Sequence, residues 1–582
     1  MKEVKLYINN QEIVVPEGTT ILEAAKKIGI NIPTLCYHPD QTIKANCRVC
    51  VVEVKGSRKL SASCSTPVWN GMEVVTTSKK VLDAQKGVVE LLIASHNQDC
   101  LNCQRNGTCE LQNLAERFNI TKTNLDMDVL DIPIDDTNPS IVRDPSKCVK
   151  CNRCVEACRN TQGVDILTYS HRSDEYIIST PYNLPLNSTL CTYCGQCSAV
   201  CPVGAIVERD DTDKVFDAIA DERKHVIVQV APAIRVSLGD AFGLSEGEIV
   251  TGQMANALKQ LGFDKVFDTN FTADLTIIEE GNELIHRLKN GGTLPMITSC
   301  SPGWINYIEG KYDHLLDHLS TCKSPQQMFG ALSKSYYAEK TGIDPKDIIT
   351  VSVMPCTAKK YEAQRDEFNT EGVQDVDIVL TTRELAKMIK MSGLDFRALP
   401  ETEFDSPFGI GTGAAVIFGA TGGVMEAALR TVYEVVVGKA MPSLDFEPAR
   451  GLKGIKEAEV DLNGTKVKVA VAHSLSNAKK VMDMIDKGEC PYAFIEVMAC
   501  PGGCIGGGGQ PINTTLATKA KRIESTYKID SEKLPYRKSH DNPAINQLYD
   551  EYLKEPLGHK SHELLHTHYQ PRNKKVANIK LK

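Results

Sequence analysis

The chain carries 21 cysteines in 582 residues, and their spacing points to what they do. Two runs share one pattern, Cys148-x2-Cys151-x2-Cys154-x3-Cys158 and Cys191-x2-Cys194-x2-Cys197-x3-Cys201, the second followed by Pro202. A third set, Cys36, Cys47, Cys50 and Cys64, is spaced C-x10-C-x2-C-x13-C. A fourth reads His96-x3-Cys100-x2-Cys103-x5-Cys109, where an imidazole supplies the ligand that three thiols lack. The last, Cys300, Cys356, Cys500 and Cys504, comes from three distant segments and again makes four thiols. Thiolate sulfur is the natural ligand of iron–sulfur clusters and of zinc, and four donors complete either kind of site. Disulfides are the competing use of thiols. The start, Met1-Lys2-Glu3-Val4-Lys5-Leu6, alternates charged and apolar residues and has no apolar signal core, so a cytoplasmic chain is expected, in which structural disulfides are rare. Cys322 and Cys490 are left without a ligand role and are expected to be buried small hydrophobes.

The elements around these thiols divide the chain. At roughly 150 residues per domain its length allows three to five domains. With 66 Lys+Arg against 74 Asp+Glu and a net charge of −8, it lacks the basic footprint of a nucleic-acid binder. No apolar run approaches the roughly 18 residues of a membrane span. Val4 to Val15 reads as a hairpin about Asn9-Asn10, followed by an apolar-periodic helix from Ile21 that Gly29 stops. Beyond about residue 209 the texture becomes alternating strands and helices, the mark of α/β sheets. His225–Val230, ended by Ala231-Pro232, Leu294–Ile297 and Ile348–Val353 read as buried strands. Thr251–Leu261 and Glu384–Met391 read as helices. Three loops at strand ends carry the last four thiols: Thr298–Trp304, Met354–Lys360 and Glu496–Pro511. The glycines after Cys504 allow backbone to approach a bulky inorganic ligand closely.

The first half resembles ferredoxins. A hairpin, a helix and the Cys36–Cys64 loop resemble the plant-type module, which implies one [2Fe–2S] cluster. The eight-cysteine run resembles the bacterial two-cluster module, in which the fourth cysteine of each run serves the other cluster. That resemblance gives one [4Fe–4S] cluster to Cys148, Cys151, Cys154 and Cys201, and the other to Cys191, Cys194, Cys197 and Cys158. His96, Cys100, Cys103 and Cys109 are expected to hold a further [4Fe–4S] cluster, with a zinc ion on the same three thiols and imidazole as the physical rival.

The three loops of the second half resemble the active-site signatures of [FeFe]-hydrogenases, and the resemblance runs along essentially the whole chain. It implies an H-cluster, a [4Fe–4S] cubane joined by one cysteine to a diiron unit with CO, cyanide and azadithiolate, and the reversible interconversion of H2 with protons and electrons. By resemblance Cys504 is the bridging thiolate and Cys356 and Cys500 are cubane ligands. Lys359 donates to a diiron cyanide, Met354 and Met498 pack against the diiron unit, and Pro232, Gln327 and Ser301 belong to the cofactor's surroundings. The family's first loop has two adjacent cysteines where this chain has Cys300-Ser301. Either Cys300 ligates the cubane, or Ser301 takes the ligand position and Cys300 remains a proton relay. The family's proton route maps onto Glu280, Glu283, Ser320 and Cys300. Read without the resemblance, Glu279, Glu280 and Glu283 are a solvated helix face.

The fold class expected is multidomain, α+β and α/β. A β-grasp [2Fe–2S] domain covers residues 1–80, a [4Fe–4S] domain with one histidine and three cysteine ligands 81–125, and a two-[4Fe–4S] ferredoxin-like domain 138–208. An α/β H-cluster domain follows at 209–511, then small-subunit-like helices and a basic tail at 512–582. Gly409–Gly413 and Gly419–Gly423 lack the full dinucleotide and P-loop patterns, so neither NAD nor flavin is expected on this chain. Ferredoxin, or flavin- and NAD-binding partner subunits, are the expected electron partners, and the resemblance also allows a formate dehydrogenase. A non-catalytic electron-transfer or H2-sensing subunit is the rival from another class. The tail after Gln570 is expected to fray, with a docking strap for a partner as its other reading.

Overall fold

A computed structural model describes residues 2–572 apart from positions 126, 128, 130 and 371. At the N-terminus, strands Glu3–Ile8 and Gln11–Pro16 form the expected hairpin, turning at Asn9 and Asn10 with φ of 49° and 66°. Asparagine tolerates that left-handed conformation, and the twist it imparts matches that of the flanking strands. Thr20 and Glu23 cap the helix Ile21–Lys27 reciprocally, and Gly29, at φ 76°, ends it. A five-stranded mixed sheet results, with Glu3–Ile8 pairing in parallel with Met72–Val75 as in a β-grasp fold. The helix Lys79–Ala94 then leads to His96, and Glu110–Arg117 follows Cys109.

The two four-cysteine runs sit in a small unit whose ends are tied by the antiparallel strands Ile141–Arg143 and Ile206–Glu208. Each run opens into a short helix, Arg153–Glu156 and Gln196–Ala199, and these helices pack together.

Two four-stranded sheets make the second half. One is all parallel, in the order Lys265–Asp268, His225–Val230, Ile348–Met354, Ile378–Thr381. In the other, Met296–Ile297, Phe494–Met498 and Thr465–His473 are parallel and Ile455–Leu462 adds an antiparallel edge. The Leu294–Ile297 strand is shorter than expected: only Met296 and Ile297 pair, because Pro295 has no N–H to give a ladder. The first-sheet core gathers Val228, Val230, Val351, Val353 and Leu380, and that of the second gathers Val469, Val471, Phe494 and Val424. Between the sheets runs the helix Asn270–Asn290, buried along most of its length against the helix Gly423–Val437. The C-terminal segment, with helices Leu516–Lys528, Pro543–Leu548 and His559–Leu565, wraps over these elements. It is fastened by Arg430, whose guanidinium binds Glu426 at 2.7 Å and Asp530 at 2.9 Å, all three fully buried.

The expected fraying after Gln570 does not hold for its first residues. Arg572 donates to the Cys191 carbonyl at 2.9 Å and to the Tyr193 hydroxyl at 2.8 Å, and its backbone N–H to Glu309 at 2.8 Å. Residues 573–582, and with them the strap reading, lie outside the described residues.

Candidate active site and its approach centres

The Cys300 loop follows Met296–Ile297, the Cys356 loop follows Ile348–Met354, and the Cys500–Cys504 loop follows Phe494–Met498. All three leave the carboxyl ends of parallel strands, where open α/β sheets bind ligands. Met354 and Met498, the last residues of two of these strands, are both 3% exposed and lie in the cores. Pro232 follows the strand His225–Val230 at the same end of the first sheet.

Burial pushes the thiols of this group up, to about 12 for Cys356 and about 11 for Cys504, and well above the ordinary thiol range for Cys300 and Cys500. The charges of Cys504 and Lys359 bear on both Cys356 and Cys300, and those of Glu280 and Glu496 bear on Cys300 as well. Buried thiols held neutral in this way ionise when a metal cation takes their protons' place. Ser301 precedes the first turn of the helix Pro302–Lys311, and its Oγ accepts from Ala499 N–H at 3.2 Å, beside Cys500.

Lys359, 8% exposed, spends its three N–H donors on Glu362 at 2.7 Å, Ser324 at 2.8 Å and the Cys300 carbonyl at 3.2 Å. Gln327 is fully buried, yet neither atom of its amide has a partner, an arrangement that asks for a bound group. The glycine run after Cys504 is required sterically. A Cβ on Gly506 would sit 2.0 Å from the Pro501 carbonyl, one on Gly507 2.1 Å from that of Pro355, and one on Gly508 2.2 Å from that of Cys194. The glycines thus let the Cys504 loop pack directly against the Cys356 and Cys194 loops, and the donor set and the orphaned amide fit an inorganic cofactor.

The carboxylates of the helix Asn270–Asn290 are not a solvated face. Glu279, Glu280 and Glu283 are 0%, 2% and 7% exposed. Glu283 accepts from Ser320 Oγ at 3.0 Å and is paired with Arg287 at 2.6 Å. Burial, and the charge of Glu283, push Glu280 up to about 8, against which Ser320's hydroxyl works. Arg287, Thr321, Ser324 and Glu362 are site residues the sequence reading missed. Of these only Glu362 left a signal, lying three residues after Lys359 on one helix face.

The approach centres are equally distinct. One cavity, about 180 Å³, is lined by His96, Cys100, Cys103 and Cys109. The His96 Nδ1 is buried without a partner, and burial holds the ring's pKa down at about 4, so the imidazole stays neutral and free to ligate. A second cavity is lined by Cys148, Cys151, Cys154 and Cys201, and a third by Cys158, Cys191, Cys194 and Cys197. The crossing of the fourth cysteines is thus present in the geometry. Cys36, Cys47, Cys50 and Cys64 lie together in the N-terminal unit, where Cys47 N–H points at Cys36 Sγ at 3.5 Å. The third cavity abuts the active-site loops: Thr357 donates to the Tyr193 carbonyl at 2.7 Å, and Gln196 to that of Gly506 at 2.9 Å.

Thiol-lined centres that lead to a buried thiol group served by carboxylates define an iron–sulfur oxidoreductase that also handles protons. Comparison with known proteins narrows the class. Residues 224–508 match the model of the iron only hydrogenase large subunit, C-terminal domain, and residues 517–572 that of the iron hydrogenase small subunit. Residues 1–79 match a 2Fe-2S iron-sulfur cluster binding domain, 85–124 the NADH-ubiquinone oxidoreductase-G iron-sulfur binding region, and 147–205 a 4Fe-4S dicluster domain. The chain is 49% identical over 586 residues to the NADP-reducing hydrogenase subunit HndD of Solidesulfovibrio fructosivorans, covering 99% of this chain and 100% of that one. It is 41% identical over 573 residues to iron hydrogenase 1 of Clostridium pasteurianum, covering 97% and 99%. The solved structure of an [FeFe]-hydrogenase variant from Chlamydomonas reinhardtii matches with a TM-score of 0.56 and 45% identity, over 62% of this chain and 99% of that one. The chain belongs to the iron-only, or [FeFe], hydrogenases: it is a large catalytic chain of that family, an oxidoreductase acting on H2, with iron–sulfur domains in front. No helix among the described residues is long and apolar enough to cross a membrane.

Proposed function

We propose that the chain interconverts H2 with two protons and two electrons at an H-cluster held by Cys356, Cys500 and Cys504, with Ser301 at the fourth corner of the cubane. The observation that carries this reading is the convergence of those thiols with Lys359, Gln327 and Glu280 at the carboxyl ends of two sheets. When bound, the diiron unit supplies the metal centre at which the H–H bond breaks or forms.

The chain's own residues do the rest. Cys300, whose thiol feels the charge of Glu280, is the first proton carrier, and Glu280, Ser320 and Glu283 pass the proton on to solvent, while Arg287 stays charged and holds Glu283 in place. Below a pKa of about 8 Glu280 holds a proton to give, and above it accepts one, so the residue works in both directions near neutral pH. Lys359 would be the donor to a cyanide of the cofactor, its ammonium kept aimed by Glu362 at 2.7 Å and Ser324 at 2.8 Å. Met354, Met498 and Pro232 keep water from the pocket.

Electrons travel between this site and Cys158, Cys191, Cys194 and Cys197, which hold a [4Fe–4S] cluster, then to a second at Cys148, Cys151, Cys154 and Cys201. Two branches meet there. Gln41 and Asn46 of the Cys36–Cys64 unit, the seat of one [2Fe–2S] cluster, bond the carbonyls of Arg153 and Lys150 at 3.0 and 2.8 Å. Arg105, between Cys103 and Cys109, bonds the Cys201 carbonyl at 2.7 Å, which brings in the third [4Fe–4S] cluster, at His96, Cys100, Cys103 and Cys109. Two entry points suit a chain that serves an NADP-linked partner subunit and ferredoxin as well, and its relative from Solidesulfovibrio fructosivorans is a subunit of an NADP-reducing hydrogenase. The setting is the cytoplasm.

Two substitutions in the matured protein test the assignment. Cys300→Ala keeps the infrared bands of CO and cyanide and loses H2 turnover by roughly a hundredfold or more; Cys504→Ala loses the bands themselves. Undiminished turnover in Cys300→Ala rules out the relay.

A further inference from the structure

Two thiols, Cys322 and Cys490, are used by none of the centres above, and Cys490 is only half-buried rather than the buried hydrophobe expected. Cys322 lies fully buried beside the proton route, where the C-terminal segment pairs with the loop after Ser320. A backbone bridge joins Cys322 to His566, and Lys323 N–H to Leu565 and Thr567 N–H to Thr321, both 2.8 Å, fix the two strands of chain together. We propose that Glu283, Cys322 and His566 form a binding site for a soft divalent cation of the zinc class.

The donor atoms of these three buried residues all lie within 4.8 Å of one another. Cys322 Sγ is 3.8 Å from Glu283 Oε2. Thr321 Oγ1 stands 3.2 Å from the same oxygen and 2.8 Å from His566 Nδ1. One sulfur, one nitrogen and one oxygen are ligands that zinc accepts together, and a water completes four-coordination.

Outer-shell support for a metal-bound histidine is already present. His566 Nε2 lies 3.2 Å from Glu279 Oε2. A proton on Nε2 shared with that carboxylate leaves the Nδ1 lone pair toward Thr321 and Glu283. Glu279 is itself held by the Tyr549 hydroxyl and, at 2.9 Å, by Leu557 N–H. A carboxylate fixing the far nitrogen of the ring is the usual companion of a histidine that ligates a metal. Arg287 occupies Oε1 of Glu283, so the cation meets Oε2, where it displaces the donors now on that oxygen, Ser320 Oγ and Thr321 N–H at 3.0 Å and Thr321 Oγ1 at 3.2 Å. Binding releases the Cys322 thiol proton to solvent as the Zn–S bond forms. His562, exposed and 4.4 Å from the His566 ring between centroids, gives the cation a way in.

A cation here takes the oxygen of Glu283 to which Ser320 donates, so zinc blocks proton traffic and inhibits the enzyme reversibly. That consequence rests on the proton route proposed above; the binding does not.

The test is made on the holoenzyme with its clusters loaded, equilibrated with zinc sulfate and freed of excess. Zinc-edge X-ray absorption is expected to show one tightly held zinc with one sulfur at about 2.3 Å and nitrogen or oxygen at about 2.0–2.1 Å. H2 uptake falls and returns with chelator. In Cys322→Ala, turnover without zinc is unchanged, the sulfur disappears from the spectrum and zinc binds roughly tenfold or more weakly. His566→Gln gives the same loss of affinity through a different ligand. Failure to retain zinc, a spectrum with three or four sulfurs, or an unchanged spectrum in both variants overturns the site. Zinc bound as expected with undiminished turnover upholds the site and overturns the route through Glu283.

Discussion

Glu280 is the residue whose chemistry depends most on its surroundings. In water its carboxyl has an ordinary value of 4.5; buried beside Glu283 it rises to about 8. Glu280→Gln keeps the shape and removes the exchangeable acid, so H2 turnover is expected to fall by roughly 10²–10⁴-fold in a viologen assay, with the infrared bands of the cofactor intact. The same shift has a stability signature. Between pH 4.5 and about 8 the unfolded chain has given up a proton that the folded chain keeps, so this group makes the fold less stable as pH rises through that window. Denaturant midpoints of Glu280→Gln and the parent chain should therefore diverge as pH climbs from 5 toward 8, with the variant gaining; parallel pH profiles would show that Glu280 ionises normally. The sequence could not have supplied this. A thiol ligand is legible because the spacing of Cys148 to Cys158 is itself the signal. The residue that hydrogen-bonds Glu280, Ser320, and those that bond neighbouring Glu279, Tyr549, Leu557 and His566, lie up to 287 residues away.

At the scale of elements, two strands of the first sheet, His225–Val230 and Ile348–Met354, and the N-terminal hairpin were readable, since continuous apolar runs, alternation and an Asn-Asn turn are local signals, whereas Lys265–Asp268 and Ile378–Thr381 were not. The helix Asn270–Asn290 was not, because its acidic stretch imitates a solvent face until the C-terminal segment covers it. That covering depends on a few buried charges. Neutralising Asp530 leaves Arg430 with one carboxylate, Glu426, which Arg450 also claims at 2.6 Å, and breaking a buried pair costs about 3–5 kcal/mol. Asp530→Asn is accordingly expected to lower the urea midpoint and to open residues 517–572 to protease before the sheets unfold; a variant as resistant as the parent would mean that the segment is held mainly by its apolar contacts. The glycine run belongs to this scale too. Gly508→Ala brings a methyl group against the Cys194 carbonyl, which cannot retreat without moving the neighbouring cluster loop. Slower reduction of the accessory clusters by H2, followed by freeze-quench EPR, is the expected outcome.

Across the whole molecule, the uneven distribution of cysteine marked out the order of the parts but not how they meet. The junctions are made by polar side chains reaching backbone carbonyls, as Gln41 does to Arg153 and Arg105 to Cys201, and such contacts have no periodicity to read. They bring two peripheral thiol-lined centres against one of the paired centres and the other of that pair against the active-site loops, the layout of the branched wire proposed above. In that proposal His96 tunes one branch. A neutral imidazole in place of a thiolate raises a cluster's reduction potential, so His96→Cys should lower that potential in an EPR-monitored redox titration; an unmoved signal would mean that the ring is not a ligand. The measurement that bears most directly on the whole account is H2 evolution from reduced viologen by the matured chain. Evolution that tracks the CO and cyanide bands of its infrared spectrum is the predicted result, and a chain that displays those bands without making H2 would contradict it.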